Sequence, residues 1–311
     1  MLTKLRSALV AGANGFIGSA LVRRLATADV RVSCLVRKGS PWPRLWNSPN
    51  VSVVEVVEYE PQILQTALNG LQVDVAFNLA SAGVNPAQRE PWGLFSGNVG
   101  VIVALLLGLG RQKPFRFVHT GSCSEYAPVV TGHKITEEDP LRATSLYGAA
   151  KICAFTYGAA LATQLDIAFI TLRLFGVFGP GEAPYRLMPY LIERLSLGQA
   201  VDLTPGQQVR DLLYVEDVVD ALMLAASSES MDRPGVYNVC SGEGISVRQV
   251  AEDVARIMGK STNLLRCGER PYRTDEPMWI VGDSRRFKAA TGWFPRISIQ
   301  EGMQRMVAQS R

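Results

Sequence analysis

The sequence predicts an α/β fold, a doubly wound parallel sheet carrying a smaller C-terminal lobe. Three observations lead there. Short β-branched and apolar runs alternate with helix-length segments from residue 5 to residue 174. The first run breaks into a glycine-rich turn, Gly12-Ala13-Asn14-Gly15-Phe16-Ile17-Gly18, and a helical pattern follows it. The chain's 311 residues suffice for two lobes and contain no internal repeat of the kind that builds a solenoid. Strands separated by helices of this length pair in parallel, with helices on both faces.

Residues 5–11 (LRSALVA) form the first strand, and residues 15–27 then place Phe16, Ile17, Ala20, Leu21 and Leu25 at helical spacing. Val30 to Val36 and Val51 to Val57 are the second and third strands, and Val73 to Ala80 the fourth. A long helix over 91–111 leads to the fifth strand, Phe115 to Thr120. A helix over 143–163 leads to the sixth, Ile167 to Leu174. After Phe175 the rhythm changes. Residues 176–186 (GVFGPGEAPYR) are rich in Gly and Pro and read as a loop. A helix near 187–197, short strands near 201–203 and 210–214, and a helix over 216–228 follow. From Gly242 onward, two or three short helices and the loop CGERPYRTDEP form a cap. The division is a dinucleotide-type domain over 1–175, with 209–241 returning to it, and a substrate lobe from 176–208 and 242–311.

Lys plus Arg number 32 against 28 Asp plus Glu, a net charge of +4. So small an excess is no footprint for nucleic acid and suits local basic pockets for small anions. Hydrophobic residues at 47% and charged residues at 19% exclude a disordered chain. Five cysteines without CxxC spacing and two histidines make no metal-site pattern, and this cysteine usage fits a reducing compartment. The opening apolar run breaks at Gly12 and does not read as a leader. The longest apolar stretch, Val99 to Leu109, is short for a bilayer. The expectation is a cytoplasmic protein with no metal, membrane or nucleic-acid partner.

The glycine turn carries the first chemistry. Its G-x-x-G-x-x-G spacing lies between a strand and a helix, where glycine lets the backbone approach a pyrophosphate and the helix N-terminus offers free N–H groups. This predicts a Rossmann-type dinucleotide site built on Gly12, Asn14, Gly15, Phe16, Ile17 and Gly18. The second strand ends Leu35-Val36-Arg37-Lys38. An NAD site usually places an acid there for the ribose 2′-hydroxyl. Two cations and no acid favour a 2′-phosphate on Arg37 and Lys38, hence NADP(H), with NAD the alternative.

Tyr147 and Lys151 stand four apart on a helix and share one face. A fixed ammonium eases ionisation of a phenol, so the pair can pass a substrate hydroxyl's proton while hydride moves to or from a nicotinamide. Ser122 closes the fifth strand, and strand C-termini are where sites form in open α/β sheets. Its hydroxyl can hold the same substrate oxygen.

With these pieces in place the chain resembles the extended short-chain dehydrogenase/reductases, in their nucleotide-sugar epimerase/dehydratase branch. The resemblance rests on GANGFIG (12–18), NLASA (78–82), Asn98, GSCSEY (121–126) and YGAAK (147–151). It continues through LRLFGVFGPG (172–181), VRDLLYVEDV (209–218) and GWFP (292–295), and so covers nearly the whole chain. It implies that Leu79, Ala80 and Ser81 lie near the nicotinamide ribose and that Lys151 also holds the ribose hydroxyls. It implies catalytic roles for Ser122, Tyr147 and Lys151. It makes 176–186 a substrate segment that includes Gly176 and Arg186, with Ser124 close by. It also makes Arg210 and Arg273 the pair that grips a nucleotide diphosphate, which guanidinium forks suit.

Departures from the family pattern refine this. The two places after the catalytic Ser/Thr, which in sugar-nucleotide dehydratases hold an acid and a base, are Cys123 and Ser124 here, with Glu125 one residue later. A one-residue deletion would restore Glu125 to that place; taken without a gap, the pattern argues against elimination of water. Gly176 stands where an Asn usually contacts the sugar. Val57-Glu58-Tyr59 replaces the usual Gly-Asp after the third strand. The expected activity is NADP(H)-dependent reduction of a 4-keto-6-deoxy nucleotide sugar, as in the 4-ketoreductases of deoxysugar biosynthesis. A 4-epimerase with tightly held NAD and a non-catalytic dinucleotide-binding regulator are the alternatives. The helices over 91–111 and 143–163 carry Val99, Ile102, Val103, Leu106, Phe155 and Leu161, more apolar surface than one sheet face needs. The resemblance pairs these helices across a two-fold axis, so a homodimer is expected.

Overall fold

The computed structural model describes residues 5–40, 48–85, 87–88, 90–110, 112–231 and 233–310. Along the chain run β1 (Ser7–Ala11), α1 (Phe16–Thr27), β2 (Arg31–Arg37), β3 (Val51–Val56), α2 (Pro61–Ala67) and β4 (Val75–Asn78). Then come α3 (Pro91–Phe95), a π-helical turn (Ser96–Gly100), α4 (Val101–Gly108), β5 (Arg116–Ser122), a 3-10 turn (Cys123–Glu125) and α5 (Leu146–Gln164). The rest is β6 (Phe169–Leu174), β7 (Gly176–Phe178), α6 (Leu187–Ser196), β8 (Val201–Leu203), β9 (Val209–Tyr214), α7 (Val215–Ser227), β10 (Gly235–Val239), β11 (Gly244–Ser246), α8 (Val247–Ile257), β12 (Leu265–Cys267), β13 (Trp279–Ile280), α9 (Arg285–Thr291) and α10 (Ile299–Gln309).

Seven strands pair in parallel in the order β10-β6-β5-β4-β1-β2-β3. Every residue of β1, β4, β5 and β6 is buried, so these strands lack the apolar-in, polar-out alternation of a half-exposed sheet. One face is covered by α1 and α7, whose Leu21, Leu25, Val218 and Leu222 are fully enclosed with Val10 and Ile170 of the sheet. The other face carries α2, α4 and α5, with Leu64, Ile102, Leu105 and Ala154 packed on Leu9, Phe117 and Phe169. The seventh strand, β10, was not foreseen in the sequence. Within 209–241, α7 and β10 complete this large layer. By contrast β9 joins β7, β11 and β13 in a small second sheet. A third core, around Met188, Leu191, Val250, Val254 and Met303, joins α6, α8 and α10 into the smaller lobe.

The long helix is less regular than its periodicity suggests. Asn98, 2% exposed, donates from Nδ2 to Leu94 O at 2.7 Å and to Ala82 O at 3.1 Å. The side chain occupies the carbonyl that its own backbone N–H would use in an α-helix, and the turn widens to π geometry. The apolar stretch seen in the sequence is thus part of an 18-residue helix, Pro91–Gly108, long and apolar enough by length and composition to cross a membrane. Half of it is buried inside the fold, as in a core helix. Of the six apolar residues named on the helices over 91–111 and 143–163, Val99, Ile102 and Leu106 are buried in the core, while Val103, Phe155 and Leu161 are partly exposed.

Candidate active site

At the C-terminal ends of β1 and β4 the glycine loop is pressed against its neighbour. Gly12 has φ 78°, and a Cβ there would sit 2.6 Å from Ala80 N and 2.7 Å from Leu79 C. A Cβ on Gly18 would lie 2.1 Å from Gly12 O. Only glycine permits this approach. Gly15 caps α1 without any side-chain acceptor. The first-turn N–H groups of Phe16, Ile17 and Gly18 therefore point outward as an anion site with the helix dipole behind them. This cradle fits the pyrophosphate of a dinucleotide. Beside it Arg37 and Lys38 are exposed at the end of β2. Tyr59, which sequence reasoning did not assign, reaches back to Leu35 O at 3.4 Å, and burial pushes its phenol up to about 12.

The loop after β4 is held by side chains. Asn78 Oδ1 accepts from Ala80 N at 3.2 Å, and Ser81 Oγ donates to Asn98 Oδ1 at 3.0 Å. Asn78 is anchored in turn, since its Nδ2 lies 3.3 Å from His119 Nδ1 and its carbonyl accepts from Thr120 Oγ1 at 3.1 Å. Leu79, Ala80 and Ser81 thus stand next to Gly12 and at the edge of the triad.

Ser122, Tyr147 and Lys151 converge. The helix α5 starts at Ser145, whose Oγ accepts from Gly148 N at 3.1 Å. A Cβ on Gly148 would lie 2.2 Å from Ser124 O, so the helix sits directly on the Ser122 turn. Tyr147 is half-buried. Burial raises its pKa, and hydrogen bonds with the Ser122 and Ser81 hydroxyls oppose that shift. The phenol thus keeps its proton at neutral pH. Lys151 is 2% exposed, donates to Thr120 O at 3.0 Å and lies 5.9 Å from the Tyr147 ring centre. Burial lowers its pKa to about 8, against the opposing pull of Glu125.

Glu125 does not face the cleft. It is 0% exposed; one carboxylate oxygen accepts from Ser122 N at 2.7 Å and the other from Arg173 Nε at 2.7 Å. The signal for this was present in the sequence: Ser122-Cys-Ser-Glu125 is an S-x-x-E capping box. Neighbouring Cys123 is a neutral thiol, pushed up to about 11 by burial.

On β9, Arg210 donates to Val209 O at 2.8 Å and pairs with Glu276. Burial and the charge of Arg273 lower the pKa of Arg210, against the pull of Glu276. Glu276 is a partner that sequence reasoning missed. Gly176 opens β7, where a Cβ would lie 2.6 Å from Asp211 O and 2.7 Å from Leu212 Cδ2. Arg186 caps α6 and pairs with Glu182 at 3.3 Å. Its ion pair ties it to that loop.

A glycine cradle for a pyrophosphate beside a Ser/Tyr/Lys cluster defines an enzyme that works with an NAD(P)-type dinucleotide. The chain belongs to the NAD dependent epimerase/dehydratase family, whose model matches residues 8–240. It is similar to the dTDP-6-deoxy-L-talose 4-dehydrogenase (NAD(P)(+)) of Kitasatospora kifunensis, at 27% identity over 312 residues covering 97% of this chain and 95% of that protein. Among solved structures it is similar to a UDP-glucose 4-epimerase of Thermotoga maritima with UDP-glucose, with TM-score 0.90 and 26% identity over 98% of each chain. It is also similar to a Thermus thermophilus UDP-glucose 4-epimerase in complex with NAD, with TM-score 0.87 and 25% identity over 97% of this chain and 98% of that one.

Proposed function

We propose that the protein is an NADP(H)-dependent reductase of the 4-keto group of a nucleotide-linked 6-deoxysugar. The observation that carries this is the fate of Glu125. Both of its oxygens are engaged inside the fold, and Cys123 and Ser124 stand where an eliminating enzyme needs an acid and a base. The site retains proton transfer at one oxygen and lacks the groups for loss of water. The relative from Kitasatospora, named for a 4-dehydrogenase reaction with NAD(P)(+), supports oxidoreduction at that carbon.

A bound nicotinamide dinucleotide supplies the hydride. Gly12, Asn14, Gly15, Phe16, Ile17 and Gly18 would hold its pyrophosphate, Arg37 and Lys38 a 2′-phosphate, and Leu79, Ala80, Ser81 and Lys151 the ribose beside the nicotinamide. Tyr147 donates its proton to the ketone oxygen as that oxygen gains charge. The Ser122 hydroxyl holds the same oxygen in line. Lys151 stabilises the phenolate left behind, because a nearby cation favours the ionised form. Arg210 and Arg273 take the diphosphate, with Glu276 yielding the Arg210 fork. Ser124, Gly176 and Arg186 border the sugar.

The likeness to 4-epimerases favours one second reading, in which the same triad oxidises and then reduces C4. The two divide on stoichiometry. The protein should be incubated with NADPH and a panel of nucleotide 4-keto-6-deoxysugars, and the products weighed by mass spectrometry. A reductase consumes one NADPH for each product that gains two hydrogens. With a nucleotide 4-hydroxy sugar in place of the ketone, an isomeric product without NADPH consumption establishes the epimerase instead. No turnover with any sugar would leave only a dinucleotide-binding regulator, against which the complete triad speaks.

A further inference from the structure

We propose that Glu125 is a positioning residue of the active site, whose buried carboxylate, held by Arg173, fixes the turn that carries Ser122. This rests on the reading that Ser122, Tyr147 and Lys151 carry the proton chemistry.

The geometry is specific. Gly121 leaves the space the carboxylate needs, since a Cβ there would lie 2.6 Å from Glu125 Oε1. That oxygen receives the Ser122 N–H, so the backbone bearing the catalytic hydroxyl hangs on it. The other oxygen is tied to β6 through Arg173, whose side chain is 3% exposed. Arg173 Nη1 donates to Tyr126 Oη at 3.0 Å, and Tyr126 donates to Asn238 Oδ1 of β10 at 2.7 Å. The guanidinium also stacks over the rings of Tyr126 at 4.8 Å and Phe155 at 5.3 Å. Ser122 is thereby braced against the last two strands of the sheet.

Stability alone does not account for an ion pair in this place. Burying two charges costs about as much as their attraction returns, and apolar residues of similar size commonly do as well. What an apolar pair would not supply is an acceptor for the Ser122 N–H, and with it the set of the turn that aims the Ser122 hydroxyl.

The test compares the pair Glu125→Met/Arg173→Met with the pair Glu125→Gln/Arg173→Met, assayed for kcat and KM with NADPH and the keto sugar. Both remove the two buried charges, but only the amide keeps an acceptor for the Ser122 N–H. kcat should fall about tenfold or more in the first pair, as misplacement of a catalytic group does, and recover most of that loss in the second. The KM for the nucleotide sugar should stay within about twofold in both, since Arg210 and Arg273 are untouched. Arg173→Lys keeps both charges and should keep wild-type kcat, which keeps the proposal exposed if the neutral pairs fail to fold. Equal kcat in the two pairs, or a large loss in Arg173→Lys, overturns it. Full activity of Tyr147→Phe would instead overturn the reading of the site on which it rests.

Discussion

Replacing Tyr147 by Phe removes one oxygen from the proposed proton donor and leaves its ring in place. The structure sets the size of each consequence. The phenol's partners are the Ser122 and Ser81 hydroxyls, and both keep other bonds: Ser122 Oγ accepts from Ser124 N at 3.1 Å, and Ser81 Oγ donates to Asn98 Oδ1 at 3.0 Å. Neither is orphaned, so the net cost is that of ordinary hydrogen bonds, about 1 kcal/mol, and the thermal midpoint should fall by only about 2–4 °C. Turnover should suffer far more. A positioned general acid contributes about 10²–10⁴-fold, equivalent to about 3–5 kcal/mol of barrier. The NADPH dissociation constant, followed by nicotinamide fluorescence, should hardly change, because the glycine loop and Lys151 are intact. The assay is steady-state NADPH oxidation with a reducible keto sugar, alongside thermal melts of both proteins. Wild-type turnover in a folded, NADPH-binding Tyr147→Phe would refute the assignment of the proton donor. Weakened NADPH binding of the same size as the rate loss would show that the residue serves the cofactor instead.

Other perturbations follow from the same geometry. Arg37→Asp should weaken NADP(H) binding about tenfold or more and improve NAD(H) binding, since one charged hydrogen bond is worth about 1.5–3 kcal/mol; equal NADH and NADPH affinity in the unmutated protein would contradict the role of Arg37 and Lys38. Gly18→Ala places a methyl 2.1 Å from Gly12 O and should lower the thermal midpoint and abolish NADPH binding together; a variant that binds normally would show the loop to be more yielding than its packing implies. Burial pushes the Glu182 carboxyl up to about 7, above its value in the unfolded chain, so ionising it costs the folded state stability as pH rises toward and through that value. Glu182→Gln should therefore stabilise the protein more in mildly alkaline than in mildly acidic buffer, and equal gains in both would refute the cause. Light scattering at micromolar concentration should return twice the protomer mass, with Tyr157 (57% exposed) and Trp92 (70% exposed) covered by a second copy; a protomer mass removes the dimer.

Much of the frame was legible because it is written locally. Interior parallel strands are apolar on both faces, so Ala8 to Ala11 and Phe117 to Thr120 announce themselves by composition, and a glycine turn between strand and helix names its own ligand. The strand β10 was missed because GVYNV is five residues long, follows a proline and is polar at Asn238, whose side chain is spent on Ile135 O and Tyr126. The triad could be assembled from a four-residue helical spacing and a strand end. What surrounds it could not, since Glu125 meets Arg173 and Arg210 meets Glu276 across 48 and 66 residues of chain. Such pairings are products of topology, and no local pattern encodes them. Glu125 is the instructive case: its capping-box spacing was readable, whereas its inward turn depends on Gly121 and on a cation from the next strand.

The π turn at Ser96–Gly100 gives its helix two phases. A wide turn amounts to one extra residue in an α-helical frame, so residues before and after it are offset by about 100° about the axis. Upstream, Trp92 and Phe95 stack on each other at the surface, while downstream Ile102, Leu105 and Leu106 face the sheet. A straight helix of the same sequence could not serve both halves. Deleting a single residue between Ser96 and Gly100 would let a regular helix keep both halves facing as they do, whereas adding one would turn one half out of register with its surroundings. With the insertion, either the apolar row of α4 would leave the sheet, or Asn98 would leave Ser81. An insertion should thus be tolerated in the loops flanking this helix and rejected within it.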